Sequence, residues 1–251
     1  MRNQPLTGFV LHQKPYGENR SLVYLFTQEL GVVHGIGKKN LPLFLSIELI
    51  ATGKQSLKTF SQSQISHFNQ PLTGQGLFAG MYLNEVLLKL LPVEEPMADL
   101  WQAYQTSIAT IAQLFQDTTP SVNDLTLLKW QLRQFETLLF EQLGYGLDFL
   151  VDGLGNQIQS EQTYRYQLQQ GFVPILNSDK ATISLTGKEL IQWQQCLQQM
   201  QMFNKLLAEY PQTTQTLLNH IGSVYRMILD NLLNYQTLQS RVLWRQLSQN
   251  Q

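Results

Sequence analysis

The hydrophobic period of this chain changes once, and that change limits what it can fold into. Up to about residue 70, apolar and polar side chains alternate, the two-residue period of a half-buried strand. After "NQPLTGQG" (69–76) apolar residues recur at steps of three and four, the period of an amphipathic helix. The front part reads as five strands, 8–14, 21–27, 32–37, 43–52 and 56–68, rich in β-branched and aromatic residues and separated by Gly, Pro and Asn. In "LFLSIELIAT" (43–52) Leu43, Leu45, Ile47, Leu49 and Ala51 point one way, and Ser46, Glu48 and Thr52 the other. Five short strands in so few residues fit a small barrel, because closure removes the exposed edges.

The helical part has its own punctuation. "GLFAGMYLNEVLLKLLP" is a strongly apolar helix stopped by Pro92. Pro96 opens the next, with Leu100, Trp101, Tyr104, Ile108, Ile111, Ala112 and Phe115 on one face. Pro120 opens a third, carrying Leu125, Leu128, Leu132, Phe135, Leu139 and Leu143 and stopped by Gly144. Residues 145–183 break the rhythm: "VDGLGNQ" is a turn, and "TYRYQLQQGFVPIL" reads as short strands around Gly171. Thr186 and Glu189 in "TGKE" form a capping box. One helix is expected from it, through Leu190, Ile191, Leu197, Met200 and Phe203. A last long helix carries Leu217, Ile221, Val224, Tyr225, Ile228 and Leu232, before the short "SRVLWRQL" tail.

The net charge of −1 argues against a nucleic-acid binder until it is divided along the chain. Residues 1–75 hold seven Lys or Arg and three acids, a net +4, and the rest carries −5. Either a cationic module precedes an acidic one, or the split is ordinary scatter. Small barrels hold single strands by laying phosphates along cations and stacking bases on aromatic rings. Lys14, Tyr16, Arg20, Tyr24, Lys38, Lys39, Lys54 and Lys58 offer both kinds of group. Tyr24 and Phe26 also suit the barrel core, whereas Tyr16, in a turn beside Pro15 and Gly17, suits the surface.

Signals for catalysis are weak. "GVVHGIGKK" fails as a phosphate loop: five residues separate Gly31 from Gly37, and Lys39 stands where Ser or Thr should bind magnesium. His12, His34, His67 and His220 show no ligand spacing, and Glu94 and Glu95, between two prolines, read as a solvated loop. No catalytic residue, metal or cofactor is expected. The single cysteine, Cys196, excludes an internal disulfide and reads as a buried helical thiol in a reducing, cytoplasmic setting. No secretory signal and no membrane span are expected.

Several stretches, in order and covering nearly the whole chain, resemble the bacterial RecO family: "FVLHQKPYGENRSLVYLFTQELG", "QPLTG", "GLFAGMYLNEVLLKLLP", "LRQFETLLFEQLGYGLDF", "TYRYQLQQGF", "TGKEL" and "LQSRVLWRQL". The resemblance implies an α+β chain, with a five-stranded OB-fold barrel over 1–76 and a mainly helical domain over 77–251 that holds a small β/irregular insert at 147–183. It implies a non-enzymatic mediator of DNA repair and recombination. Such a protein binds single- and double-stranded DNA, anneals strands, and engages the acidic C-terminal tail of the single-stranded-DNA-binding protein. With RecR it helps load RecA, and it is nucleoid-associated. The alternative is a protein adaptor with little DNA binding of its own.

Two departures from the family pattern matter. Many relatives carry four zinc-holding cysteines in the insert, and here there are none, so packing and hydrogen bonds alone must hold it. The long basic loop after the third strand is cut to "GKKN" (37–40). With three to five phosphate contacts left, the log–log salt slope for single strands is expected to be only about −2 to −3.5. For the partner tail, the matching position is Arg133 in "LRQFE", with Tyr164 and Tyr166 as lining residues. A guanidinium can grip a terminal carboxylate bidentately. The alternative for Arg133 is a pair with a helix carboxylate such as Glu136.

Overall fold

The structure is a computed structural model that describes residues 3–67, 70–116, 121–175 and 183–249. The chain forms two compact units, Met1–Gln131 with Tyr235–Gln251, and Leu132–Asn234.

In the first unit, β1 (Gln4–Tyr16), β2 (Arg20–Thr27), β3 (Gly31–Lys38), β4 (Ser46–Thr52) and β5 (Leu57–His67) close into a barrel in the order β1-β2-β3-β5-β4. Every pairing is antiparallel except β3 with β5. The two-residue period decides which side chains fill it. Val10, Val23, Leu25, Val33, Ile47, Leu49, Ala51 and Phe60 are buried together inside. Gly31 at the start of β3 cannot carry a side chain: its φ is +67°, and a Cβ there would stand 2.0 Å from the Glu95 carbonyl oxygen.

Strand β4 starts three residues later than its alternation predicts. Phe44 has φ +62°, and this left-handed backbone breaks the period, sending the Phe44 ring against Gly80 while Leu43 stays exposed. The expected end of β5 at Phe68 lies outside the described residues.

Helices α1 (Gly74–Leu90) and α2 (Ala98–Leu114) cover part of the barrel. Phe9 and Phe26 are buried against α2, and each ring lies within 6 Å of the Trp101 and Tyr104 rings. Helix α1 stops where Leu91 turns extended ahead of Pro92. Glu85 of α1 caps α7 (Gln239–Gln249), accepting hydrogen bonds from the Gln239 and Ser240 amides and the Ser240 hydroxyl. The loop between α1 and α2 is not the solvated acidic turn its prolines suggest. The Glu94 amide donates to the Val32 carbonyl at 2.8 Å, and its carboxylate pairs with the buried Lys58 ammonium.

Helix α3 (Val122–Gln142) runs through the division between the units and ends before Gly144, whose φ is +80°. Pro120, the expected start of this helix, lies outside the described residues. In the second unit, β6 (Thr163–Gln167), β7 (Gly171–Pro174) and β8 (Leu185–Thr186) form a three-stranded sheet, and α4 (Gly187–Gln198), α5 (Met200–Glu209) and α6 (Pro211–Leu232) follow.

The cysteine-free insert is held by local polar closure and aromatic packing. One Asp148 carboxylate oxygen accepts from the Leu150 and Val151 amides, and one of Asp152 from the Leu154 and Asn156 amides. Phe172 packs between the rings of Phe149 and Tyr166. Both halves of the Thr186–Glu189 capping box form. The single helix expected after it is two, because Gln199 is extended between α4 and α5. The buried stripe is therefore Leu190, Trp193 and Cys196, then Phe203 and Leu206, with Met200 exposed. Among the described residues, no helix is long and apolar enough to cross a membrane.

Candidate nucleic-acid interface

The outer face of β1, β2 and β3 carries three of the front module's cations, with a fourth at its edge. In an antiparallel ladder, directly paired residues share a face, and residues two apart along a strand point the same way. Since Val23 and Leu25 fill the barrel, Arg20, Leu22 and Tyr24 face outward. The pairings then set three rows across the face. At the hairpin end Arg20 sits between Tyr16 and Lys38, next Leu22 between Lys14 and Ile36, then Tyr24 between His12 and His34.

The end row is cationic. Arg20 and Lys38 oppose each other directly, and Tyr16 beside them is 56% exposed. Like charges directly opposite destabilise a sheet by a few tenths of a kcal/mol to about 1 kcal/mol. Lys39 follows at the strand end and donates a 3.4 Å hydrogen bond to the Glu18 carbonyl in the hairpin turn. The inner row is aromatic: the Tyr24 ring centroid lies 6.0 Å from that of His12 and 5.9 Å from that of His34. Burial, and then the Lys14 charge, lower the His12 pKa below its ordinary value, so this imidazole is neutral near pH 7.

A bulge sets the register of this face. Pairing of β1 with β2 shifts between Val10 and His12, which turns His12 outward beside Tyr24. The Val10 and Leu11 carbonyls at the bulge accept hydrogen bonds from the Asn84 side-chain amide of α1.

The expected binding residues separate accordingly. Lys14, Tyr16, Arg20 and Lys38 share the face, with Lys39 at its edge. Lys54 is exposed in the turn between β4 and β5. Lys58 is buried, with its ammonium on the Gln55 carbonyl and the Glu94 carboxylate, and is not part of the open face. His12, Tyr24 and His34 join the face. The strict alternation of β2 points to Tyr24, but the two histidines follow only from the strand register.

In the second unit Arg133 donates a 2.8 Å hydrogen bond to the buried Glu136 and lies over the Tyr225 ring, 5.8 Å from its centroid. A Cβ on Gly222 would stand 2.8 Å from an Arg133 terminal nitrogen, so the guanidinium rests on a bare stretch of α6. The Tyr225 hydroxyl hydrogen-bonds with Thr137 and accepts from the Trp193 indole. Tyr164 is a core residue of the insert whose hydroxyl accepts from the Gln159 amide and donates to the Gln162 side chain. Tyr166 is half-buried against Phe172. Among the described residues no group of three or more His, Cys, Asp or Glu could hold a metal ion.

A closed five-stranded barrel with a cationic and aromatic outer face, followed in sequence by helices, is the design of an OB-fold protein with a helical C-terminal region. No protein-family model matches the chain. Curated relatives do. The DNA repair protein RecO of Aliivibrio fischeri is 34% identical over 194 residues, 73% of this chain and 76% of that protein. Those of Haemophilus influenzae and Actinobacillus succinogenes are each 34% identical, over 202 and 195 residues, covering 76% and 73% of this chain and 80% and 77% of the relatives. The chain belongs to the RecO family.

Proposed function

We propose that this protein acts in DNA repair and recombination as a non-enzymatic mediator that holds single-stranded DNA on the outer face of β1–β3. The observation that carries the reading is the Arg20–Lys38 cross-strand pair. Two opposed cations on an exposed sheet cost stability in the free protein, and a bound phosphate reverses the sign of that interaction. Family membership supplies the repair context.

On this reading the barrel binds single- and double-stranded DNA and brings complementary strands together. The helical region recruits the single-stranded-DNA-binding protein through its C-terminal tail, and with RecR the protein helps load RecA. Glu136 and Tyr225 already hold the Arg133 guanidinium, so a tail carboxylate shares that cation with Glu136 or displaces it.

Fluorescence anisotropy with labelled single-stranded DNA tests the reading. Binding that persists at about 0.15 M salt and weakens in Arg20→Ala/Lys38→Ala is expected, together with faster annealing of oligonucleotides coated by the single-stranded-DNA-binding protein. Absence of both in the wild-type protein would overturn it and leave a protein adaptor.

A further inference from the structure

We propose that His12, Tyr24 and His34 form a base-stacking row that makes this face a reader of unpaired bases, with the Arg20–Lys38 row serving the phosphates. This inference rests on the DNA-binding reading above and adds to it the part of the nucleic acid that each row recognises.

Three observations carry it. First, the rings are neighbours on three adjacent strands, at 6.0 and 5.9 Å between centroids and tilted by 39° and 35°. Neither pair is stacked face to face, His12 is exposed, and Tyr24 and His34 are half-buried, so each ring keeps a solvent-facing part. Second, the spacing selects against a duplex. Bases along one strand of B-DNA rise by about 3.4 Å, so bases resting on successive rings must be drawn apart, which only an unpaired strand permits. Third, the row is supported from beneath. The bulge that turns His12 outward is fixed by Asn84, which accepts a 2.6 Å hydrogen bond from the buried Tyr104 hydroxyl. The neutral state of His12 favours the same use, since an uncharged imidazole lies against a base without losing ionic hydration.

The middle row fits between the two. Leu22 and Ile36 are half-buried and offer an apolar floor, and Lys14 at its edge keeps a cation beside the first ring. Adjacent rows are about 7 Å apart along the strands, so phosphates and bases of one strand can lie on different rows at once.

The test compares two oligomers of equal length and charge, oligothymidylate and its abasic analogue, by anisotropy at fixed salt. The wild-type protein is expected to bind oligothymidylate more tightly, and Tyr24→Ala to weaken that binding about five- to a hundredfold while leaving the abasic oligomer unchanged. Tyr24→Phe is expected to keep the preference. His34→Ala, at a half-exposed position, repeats the test should Tyr24→Ala fail to fold. Equal wild-type affinity for the two oligomers would overturn the stacking row while leaving phosphate binding intact. No binding to either would overturn the DNA-binding reading and the stacking row with it.

Discussion

Tyr104 donates a hydrogen bond to the side-chain oxygen of Asn84 at 2.6 Å, and the nitrogen of the same amide donates to the Val10 and Leu11 carbonyls at 3.1 and 3.2 Å. All of these groups are buried, and burial raises the Tyr104 pKa, so the phenol stays a donor at any ordinary pH. The amide thus closes a bulge that the β-ladder leaves open and sets the direction of His12. Asn84→Leu removes the side-chain hydrogen bonds of two carbonyls and a phenol in the core. It is expected to cost about 2–4 kcal/mol in urea denaturation. Among molecules that remain folded, the His12 ring resonances should shift in NMR spectra. A variant as stable as wild type would remove Asn84 from this role.

A trade between stability and binding is expected at Lys38. Its neighbour across the ladder is Arg20, so Lys38→Glu replaces repulsion by attraction and should stabilise the free protein by about 0.2–1 kcal/mol. The same change places a carboxylate among the phosphate sites. Affinity for single-stranded DNA should fall, and the log–log salt slope should flatten by about 0.7 for each phosphate no longer neutralised. Thermal melts and salt titrations on one preparation check both halves.

What the sequence shows and hides follows the range of the forces involved. Alternation and helical period are local, so the barrel strands and most helices can be read directly, as can the Thr186–Glu189 box. Lys58 could not be read, because its partner Glu94 is thirty-six residues away and a lysine in a strand looks the same whether paired or free. The break at Gln199 carries neither Gly nor Pro, so nothing local announces it. Phe44 hid for the opposite reason: Leu43 and Leu45 on either side of it extend a convincing alternation, and the left-handed backbone at Phe44, whose ring packs on Gly80, ends it. The His12–Tyr24–His34 row depends on a register shift at a bulge, which no pattern within one strand records.

Cys196 should resist alkylation. It is buried on α4 near Trp193, and burial pushes its thiol up to about 11 from an ordinary value of 9.0. Iodoacetamide at pH 8 is expected to react slowly with the native protein and quickly once urea unfolds it. The folded pKa lies above the unfolded one, so the protonated thiol contributes stability below pH 9.0, and that contribution is lost as pH rises through about 11. Unfolding curves of wild type and Cys196→Ala should therefore converge over that interval. Rapid native labelling at pH 8 would contradict the buried placement.

Arg133 is expected to act first on stability. Its guanidinium donates to a carboxylate that is 1% exposed, so Arg133→Ala leaves Glu136 buried without this cation and should cost about 3–5 kcal/mol. Removing both charges with apolar side chains, Arg133→Met/Glu136→Leu, should restore most of that loss, because the desolvation cost disappears with the pair. Gly222→Ala, which presses a methyl group into an Arg133 terminal nitrogen, should fall between wild type and Arg133→Ala. Urea denaturation of the four proteins checks this order. It also decides how a tail-peptide titration is read: lost binding in Arg133→Ala alone reports a damaged fold, whereas lost binding in the restabilised double variant reports a carboxylate that Arg133 itself receives.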